Sequence, residues 1–143
     1  MRTPLHFTLP IIAFIILPLF TQAQVTGLWK TYGEKDGKEK AIIEIYEQQG
    51  KLHGKILKLL PDALVTVCHR CPGELKDKPI TGMVILKDLT KTSSGGKDGT
   101  IMDPSSGKTY HAYVELEGNE KLKLRGYIGA PAFGKTQYWS RVR

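Results

Sequence analysis

From residue 25 onwards, apolar residues alternate with polar ones in short runs separated by turns rich in glycine, aspartate and proline. This two-residue period is typical of β-strands with one buried and one exposed face, and no segment shows the longer period of an amphipathic helix. A longer loop over residues 61–79 and a polar Ser/Gly loop after residue 89 interrupt the series. The pattern predicts eight strands, over residues 25–32, 40–48, 51–60, 80–89, 100–103, 108–117, 120–128 and 133–143.

Short connections between most of these runs favour antiparallel pairing of sequence neighbours. An open eight-stranded meander exposes two unpaired edges, whereas closure removes both and encloses packed side chains or one small ligand. We therefore predict an all-β domain, a single eight-stranded antiparallel up-and-down barrel, with a two-sheet sandwich as the alternative. Strand parity places nine side chains on the inner face, as the predicted ligand-binding lining: Trp29, Ile43, Ile45, Ile56, Val84, Tyr110, Ala112, Val114 and Leu124.

The beginning of the chain follows a different pattern. Arg2 gives it a basic start, residues 7–20 are almost wholly apolar, and residues 21–23 read Thr-Gln-Ala, a small-x-small cleavage site. This order is typical of a secretory signal. We predict a signal peptide over residues 1–23 and one barrel domain over residues 24–143, so that the protein is exported, either to the periplasm or out of the cell.

A membrane anchor and a lipoprotein are the competing interpretations of this segment. A spanning helix needs about 20 consecutive apolar residues, and this run is shorter and contains Pro10 and Pro18. Lipid attachment is disfavoured because no cysteine directly follows the apolar run. We therefore expect no transmembrane anchor in the mature chain.

The charge of the chain bears on its partners. The formal net charge is +7 at pH 7, and loss of Arg2 with the signal peptide would lower it by one. The basic residues are scattered along the predicted strands, a distribution typical of solvated strand faces. An exported protein meets membrane surfaces, envelope polyanions and other proteins, so we expect no nucleic-acid partner.

Two cysteines, Cys68 and Cys71, stand close together in the long loop. In an exported protein this spacing favours a disulfide. Its small ring would contribute only about 2 kcal/mol by loop-entropy arithmetic, so it would hold the loop and not the barrel.

Redox and metal-binding interpretations of the same cysteines are less favoured. His69 and Arg70 would promote a thiolate, but the Pro-Gly pair at residues 72–73 prevents the helix on which redox pairs are usually found. A metal site could add His69, His53 or His111, yet one C-x-x-C supplies only two of the four ligands that structural zinc needs. The sequence thus predicts a structural disulfide and no metal.

Residues 129–136 read Gly-Ala-Pro-Ala-Phe-Gly-Lys-Thr and match the nucleotide-binding P-loop pattern. A P-loop needs a following helix whose N-terminus holds phosphate, and here only strand-like residues 137–143 follow. We interpret the segment as a β-connection that leads into the last strand. The chain also contains no nucleophile elbow and no His-Glu-x-x-His motif, and its carboxylates are dispersed. We therefore expect neither enzymatic activity nor a cofactor.

Two short motifs resemble a known class of barrels. Gly27-Leu28-Trp29 opens the first strand and Arg141 lies on the last one. This combination resembles the lipocalin-like barrels, in which the tryptophan closes one barrel end and the arginine lies across its ring. A guanidinium stacked on an indole gains roughly 0.5–2 kcal/mol. The resemblance implies structural roles for Gly27, Trp29 and Arg141.

A set of short motifs is spread over nearly all of the expected mature chain. They are GLW at 27–29, EIY at 44–46, GKLHGKI at 50–56, CHRC at 68–71, KPITGM at 78–83, DP at 103–104, GKTY at 107–110, LRGYIG at 124–129, FGKTQ at 133–137 and WSR at 139–141. Together they make the chain similar to a family of uncharacterised secreted bacterial proteins, domain of unknown function 2147. This resemblance implies a lipocalin-type barrel and supplies no established activity. One departure is that residues 92–98 lack the tryptophan expected just before Gly99.

The functional hypothesis that follows is a non-enzymatic binding module. A small apolar or amphipathic ligand would enter one barrel end, held by burial and by one or two tyrosine hydroxyls. The alternative is a surface-acting envelope protein that uses its basic outer face against a polyanion or a protein partner. Salt separates the two, because charge-driven binding weakens as ionic strength rises and binding inside the barrel does not.

Overall fold

The computed structural model describes residues 13, 15–18 and 22–143. Eight strands follow one another: β1 Gly27–Tyr32, β2 Glu39–Gln48, β3 Lys51–Leu59, β4 Val84–Lys91, β5 Gly95–Asp103, β6 Lys108–Glu117, β7 Lys121–Tyr127 and β8 Gly134–Arg141. A single 3-10 turn, Gly73–Leu75, is the one helical element among these described residues. No helix in this part of the chain has the length and apolar character needed to cross a membrane.

Each strand pairs antiparallel with its sequence neighbours, and β8 also pairs with β1. The sheet is therefore a closed eight-stranded barrel, which confirms the predicted up-and-down architecture over the sandwich. The predicted signal peptide falls on a segment of which the structure describes only residues 13, 15–18, 22 and 23; the rest of it lies outside the described residues.

Two strands, β4 and β5, begin four or more residues away from their predicted starts. β4 begins at Val84 and not at residue 80, because Ile80 turns back on the long loop and donates its N–H to the Thr66 carbonyl at 3.0 Å. β5 begins at Gly95 and includes the glycines that were expected to form a loop. A Cβ at Gly99 would lie only 2.7 Å from Leu89 Cγ, so this part of β5 needs glycine to approach β4.

The end of the barrel where β1 begins is closed by large apolar side chains. Trp29, Leu52, Leu89 and Leu122 are fully buried there, and the Trp29 indole N–H donates to the Val25 carbonyl at 2.8 Å. With its indole donor satisfied, Trp29 can fill this end without leaving a buried polar group unpaired.

Arg141 covers the closed end. Its guanidinium carbon lies 4.3 Å from the centroid of the Trp29 ring. Its nitrogens donate to the carbonyls of Asn119 at 2.6 Å, Gln24 at 2.6 Å and Thr26 at 3.4 Å. One side chain of β8 thus ties the chain before β1 to the turn before β7.

The loop between β3 and β4 folds onto the barrel wall. Cys68 and Cys71 are joined in a disulfide, as the sequence predicts, and both are buried. The Cys68 sulfur lies 3.2 Å from the Pro104 carbonyl oxygen, and the Cys71 sulfur lies 3.8 Å from Met102 Sδ. These contacts anchor the loop to β5 and to the turn that follows it.

Candidate functional site: a cavity at the open end of the barrel

A cavity of about 710 Å³ lies in the half of the barrel opposite the Trp29 end. Cavities of about 300–1,000 Å³ are the usual size for small-molecule sites. Its inner wall is mostly apolar, because the strands present aliphatic residues inward and Trp139 lies among them. The apolar wall consists of Ala41, Ile43, Ile56, Leu59, Val65, Ile80, Ile85, Ile101, Met102, Leu124 and Trp139.

The mouth of the cavity carries exposed apolar side chains. Leu64 on the β3–β4 loop is 88% exposed, and Ile128 and Phe133 on the β7–β8 connection are 67% and 75% exposed. All three line the cavity. Exposed large apolar residues grouped around an opening are more informative than scattered ones, because they mark places where apolar molecules can be received.

Charged residues at the mouth are already paired. Lys40 Nζ lies 2.8 Å from Asp36 Oδ2 and 2.9 Å from the Asp62 carbonyl oxygen. Lys135 Nζ lies 3.0 Å from Glu34 Oε1. The hydrogen bond from Lys40 lowers the pKa of the Asp36 carboxyl, and the hydrogen bond to Glu34 raises the pKa of Lys135. Both lysines that line the cavity therefore already have a carboxylate partner.

Six residues with uncharged polar side chains also line the cavity: Thr31, Tyr32, Ser105, Tyr110, Tyr127 and Gln137. The Gln137 amide is in contact with Trp139, whose indole Nε1 lies 3.4 Å from Gln137 Oε1. Asp103 lies at the mouth, where the hydroxyls of Ser105 and Ser106 donate to its carboxylate at 2.7 and 2.9 Å. The polar chemistry inside the barrel is thus neutral, and the charged groups are found at its rim.

The nine residues predicted to line the barrel divide into three groups. Ile43, Ile56, Tyr110 and Leu124 line the cavity. Trp29, Ile45, Ala112 and Val114 are buried in the barrel core without lining it. The ninth, Val84, is half-buried and stands apart from the cavity.

The predicted position of Val84 on the inner face of the barrel needs correction. In the β3–β4 ladder, Gly54 is opposite Leu86 while the next residue, Lys55, is opposite Val84. Ile85 is therefore an extra residue on β4, a β-bulge, and a bulge reverses the alternation of side chains beyond it. As a result Ile85, and not Val84, lines the cavity. Sequence alternation assumes an uninterrupted ladder and could not reveal this.

Several functional candidates were not identified from the sequence. Gln137 lies two residues before Trp139 on β8, so strand parity with Trp139 was an available signal for it. The mouth residues Leu64, Ile128 and Phe133 carried no comparable signal, because they lie on connections whose course depends on tertiary packing.

The cysteine and histidine residues do not form a metal site in the described part of the chain. No group of three or more His, Cys, Asp or Glu side chains there could hold a metal ion. His69 is exposed and pairs with Asp77 at 3.0 Å, while the rings of His53 and His111 stack near Tyr46 and Tyr127. Residues 129–136, which match the P-loop pattern, form the β7–β8 connection and the start of β8, with no helix after them in the described chain.

The sequence of this barrel matches a known protein family. The model of domain of unknown function 2147, described as an uncharacterized protein conserved in bacteria, matches residues 27–141. The chain belongs to this family. Nothing among curated proteins matches this member of the 2147 family.

One solved structure is similar to this 2147-family barrel. It is protein HP1028 from the human pathogen Helicobacter pylori, described as belonging to the lipocalin family. The two chains are 23% identical, the match covers 85% of this chain and 84% of that chain, and the TM-score is 0.75. At this level of identity the similarity establishes a shared lipocalin-like fold.

Proposed function

We propose that this 2147-family protein is a non-enzymatic binding module that holds a small apolar or amphipathic molecule inside its barrel. The observation that carries the proposal is the cavity of about 710 Å³ with its mostly aliphatic wall. Closure of the opposite end by Trp29 leaves one mouth, through which a ligand enters past Leu64, Ile128 and Phe133.

The energetics of the cavity suit such a ligand. Burial of apolar surface contributes about 25 cal/mol for each Å² removed from water. A ligand that buries about 300 Å² would gain about 7.5 kcal/mol on this basis, and the loss of its translational and rotational freedom offsets much of that. The remainder corresponds to roughly millimolar affinity for simple apolar probes, with tighter binding where more surface is buried or polar groups are also matched.

The arrangement of charged groups supports binding over catalysis. The acidic and basic side chains that line the cavity, Glu34, Lys40, Asp103 and Lys135, lie at the mouth and hold partners of their own. General acid–base chemistry needs a titratable group within hydrogen-bond reach of the reacting atom. The apolar wall below the mouth offers no acidic or basic side chain among the described residues.

A cavity-filling variant tests the proposal. Gly126 lines the cavity, and a Cβ added there would have only ordinary contacts, the nearest being Ile101 Cγ2 at 3.5 Å. Gly126→Leu should therefore fold and occupy ligand space. Thr100→Leu is the control. Thr100 lies on β5 next to Ile101 but does not line the cavity, so this variant places a leucine outside the ligand space.

The neutral fluorophore N-phenyl-1-naphthylamine serves as the apolar probe. We expect its emission to rise with the wild type and with Thr100→Leu, and to rise far less with Gly126→Leu. Equal binding to all three proteins, or no binding to the wild type, would rule out the barrel interior as the site. Native mass spectrometry of protein from its own bacterium would then identify the resident molecule.

We also propose that residues 1–23 are a signal peptide and that the barrel acts outside the cytoplasm. The carbonyls of Gln24, Val25 and Thr26 accept hydrogen bonds at the closed end, and cleavage after Ala23 would leave all three in place. The Cys68–Cys71 disulfide suits an oxidising compartment. The intact mass of protein from the envelope or medium should match a chain that begins at Gln24, and a mass that includes residues 1–23 would contradict export by cleavage.

A further inference from the structure

Gln137 occupies an unusual place in the cavity. On β8 it alternates with Lys135, which lies at the mouth, and with Trp139, which is buried. Its partner across the β7–β8 ladder is the buried Leu124. Gln137 is solvent-exposed, so its amide is a polar group near the rim, beside a mostly apolar wall.

The orientation of this amide follows from the chemistry of its neighbour. An indole N–H is a donor only, so the atom that faces it must be the amide oxygen. Trp139 Nε1 lies 3.4 Å from Gln137 Oε1, which turns the NH₂ group away from Trp139. Among the described residues, no side chain or carbonyl accepts a hydrogen bond from Gln137 Nε2. Two N–H donors are therefore available to a molecule in the cavity.

The cavity offers no comparable site for an anion. Lys40 Nζ already contacts Asp36 and the Asp62 carbonyl, and Lys135 Nζ contacts Glu34. A carboxylate that left water for this cavity would find no unpaired cation in its wall, and burial of an unpaired charge is costly. A neutral carbonyl oxygen loses much less on leaving water and can accept from the Gln137 amide.

We infer that Gln137 is the residue that determines ligand specificity, and that it selects neutral amphiphiles carrying a carbonyl acceptor, such as a ketone, ester or amide, over fatty acids and simple hydrocarbons. The inference rests on the proposed function, because it names the class of molecule that the same cavity takes. The carbonyl end of the ligand lies at Gln137, and its hydrocarbon part contacts the aliphatic wall.

Competition against N-phenyl-1-naphthylamine tests the specificity with four probes of similar length: 2-undecanone, undecane, undecanoate and undecylammonium, at pH 8. We expect 2-undecanone to displace the fluorophore at the lowest concentration, with undecanoate weaker by about tenfold or more because its charge would be buried unpaired. A preference for undecanoate over the ketone would overturn the inference.

Variants at Gln137 separate its role from general packing. Gln137→Leu keeps the size of the side chain and removes the donors, so affinity for 2-undecanone should fall by about three- to tenfold while undecane binds as well as before. Gln137→Glu replaces the donors with a carboxylate and should favour undecylammonium. Tyr138→Phe removes a hydroxyl from the exposed neighbour of Gln137 on β8, which does not line the cavity, and should change neither ratio.

The possible failures are distinguishable. If the fluorophore does not bind the wild type, the proposed function fails. If it binds and is displaced, but Gln137→Leu alters the ketone and the hydrocarbon equally or leaves both unchanged, the cavity is a binding site and Gln137 does not determine its specificity.

Discussion

The guanidinium carbon of Arg141 on β8 lies 4.3 Å from the centroid of the Trp29 ring on β1. The same guanidinium donates hydrogen bonds to the carbonyls of Asn119, Gln24 and Thr26. Arg141 therefore covers the aromatic ring that fills the closed end and joins backbone segments that lie far apart in the sequence. The resemblance to lipocalin-like barrels implies structural roles for both residues, and substitution of Arg141 tests this.

Arg141→Ala should lower the free energy of unfolding by about 2–3 kcal/mol, because it removes the cation–π contact and several charge-assisted hydrogen bonds. Arg141→Lys should recover only part of this stability. A lysine ammonium lacks the planar, five-donor guanidinium that stacks on the ring and reaches several carbonyls at once. Urea denaturation followed by tryptophan fluorescence measures both. Arg143→Ala is the control, because Arg143 pairs with Glu120 in solvent and its loss should leave the midpoint unchanged.

Gly27 and Gly126 should respond to alanine in opposite ways. Gly27 has a φ of 132°, and a Cβ there would lie 3.1 Å from Arg141 Nη1, so Gly27→Ala should destabilise the protein by about 1–3 kcal/mol. Gly126 lies in β7 with room for a Cβ, so Gly126→Ala should stabilise it by about 0.4–1 kcal/mol. Thermal unfolding of the two variants measures the difference, and the same sign in both would contradict the assigned backbone geometry.

The sequence predicted the eight strands and the closed barrel because the required information is local. Alternation, turn residues and short connections determine antiparallel neighbours, and β6 was predicted with its observed bounds, Lys108–Glu117. The early start of β5 was missed because Gly95, Gly96 and Gly99 suggest a loop when read alone. Their role becomes visible only when the side chains and backbone of β4 and β6 occupy the space beside them.

The cavity was less accessible to sequence reasoning than the fold. Parity identified Ile43, Ile56, Tyr110 and Leu124, yet it could not separate residues that line open space from residues such as Ala112 that pack in the core. That distinction depends on how far Trp29 and its neighbours fill the barrel. The exclusion of Val84 depends on a bulge in one ladder, which leaves no mark in the pattern of apolar residues.

The disulfide should stabilise the loop and not the barrel. Replacement of both cysteines by alanine should lower the free energy of unfolding by about 2 kcal/mol, the value expected for so small a ring. Hydrogen exchange should accelerate over residues 61–83 and remain slow in β2, β6 and β7. Reduction of the wild type with dithiothreitol should reproduce the shift, and reduction should have no effect on the double variant. Rapid exchange throughout the strands would show that the cross-link holds the barrel itself.

The β1–β2 turn at the cavity mouth should show a pH dependence confined to acid. The hydrogen bond from the Lys40 side chain, followed by that from the Lys38 N–H, lowers the pKa of the Asp36 carboxyl below its ordinary value of 3.8. A carboxylate with a lowered pKa contributes stability that is present above the ordinary value and is lost as the pH falls through the lowered one. No change is expected from this group between pH 5 and 8.

Lys40→Met should raise the pKa of Asp36 toward 3.8, as measured from the carboxyl carbon shift in an NMR titration. Lys35→Met is the matched control, because Lys35 lies in the same turn and makes no hydrogen bond to Asp36. A pKa for Asp36 that is the same in the wild type and in Lys40→Met would show that the contact in the turn does not persist in solution.

The pairing of β8 with β1 has a consequence for the order of folding. Each hairpin from β1 to β7 can form as soon as its two strands have been made, but the seam between Trp29 and Arg141 joins residues more than a hundred positions apart. The barrel therefore stays open until the final strand is available, whichever strands form first. For a chain proposed to cross a membrane before it folds, this delay keeps the polypeptide open enough to pass through a membrane channel while it is being synthesised.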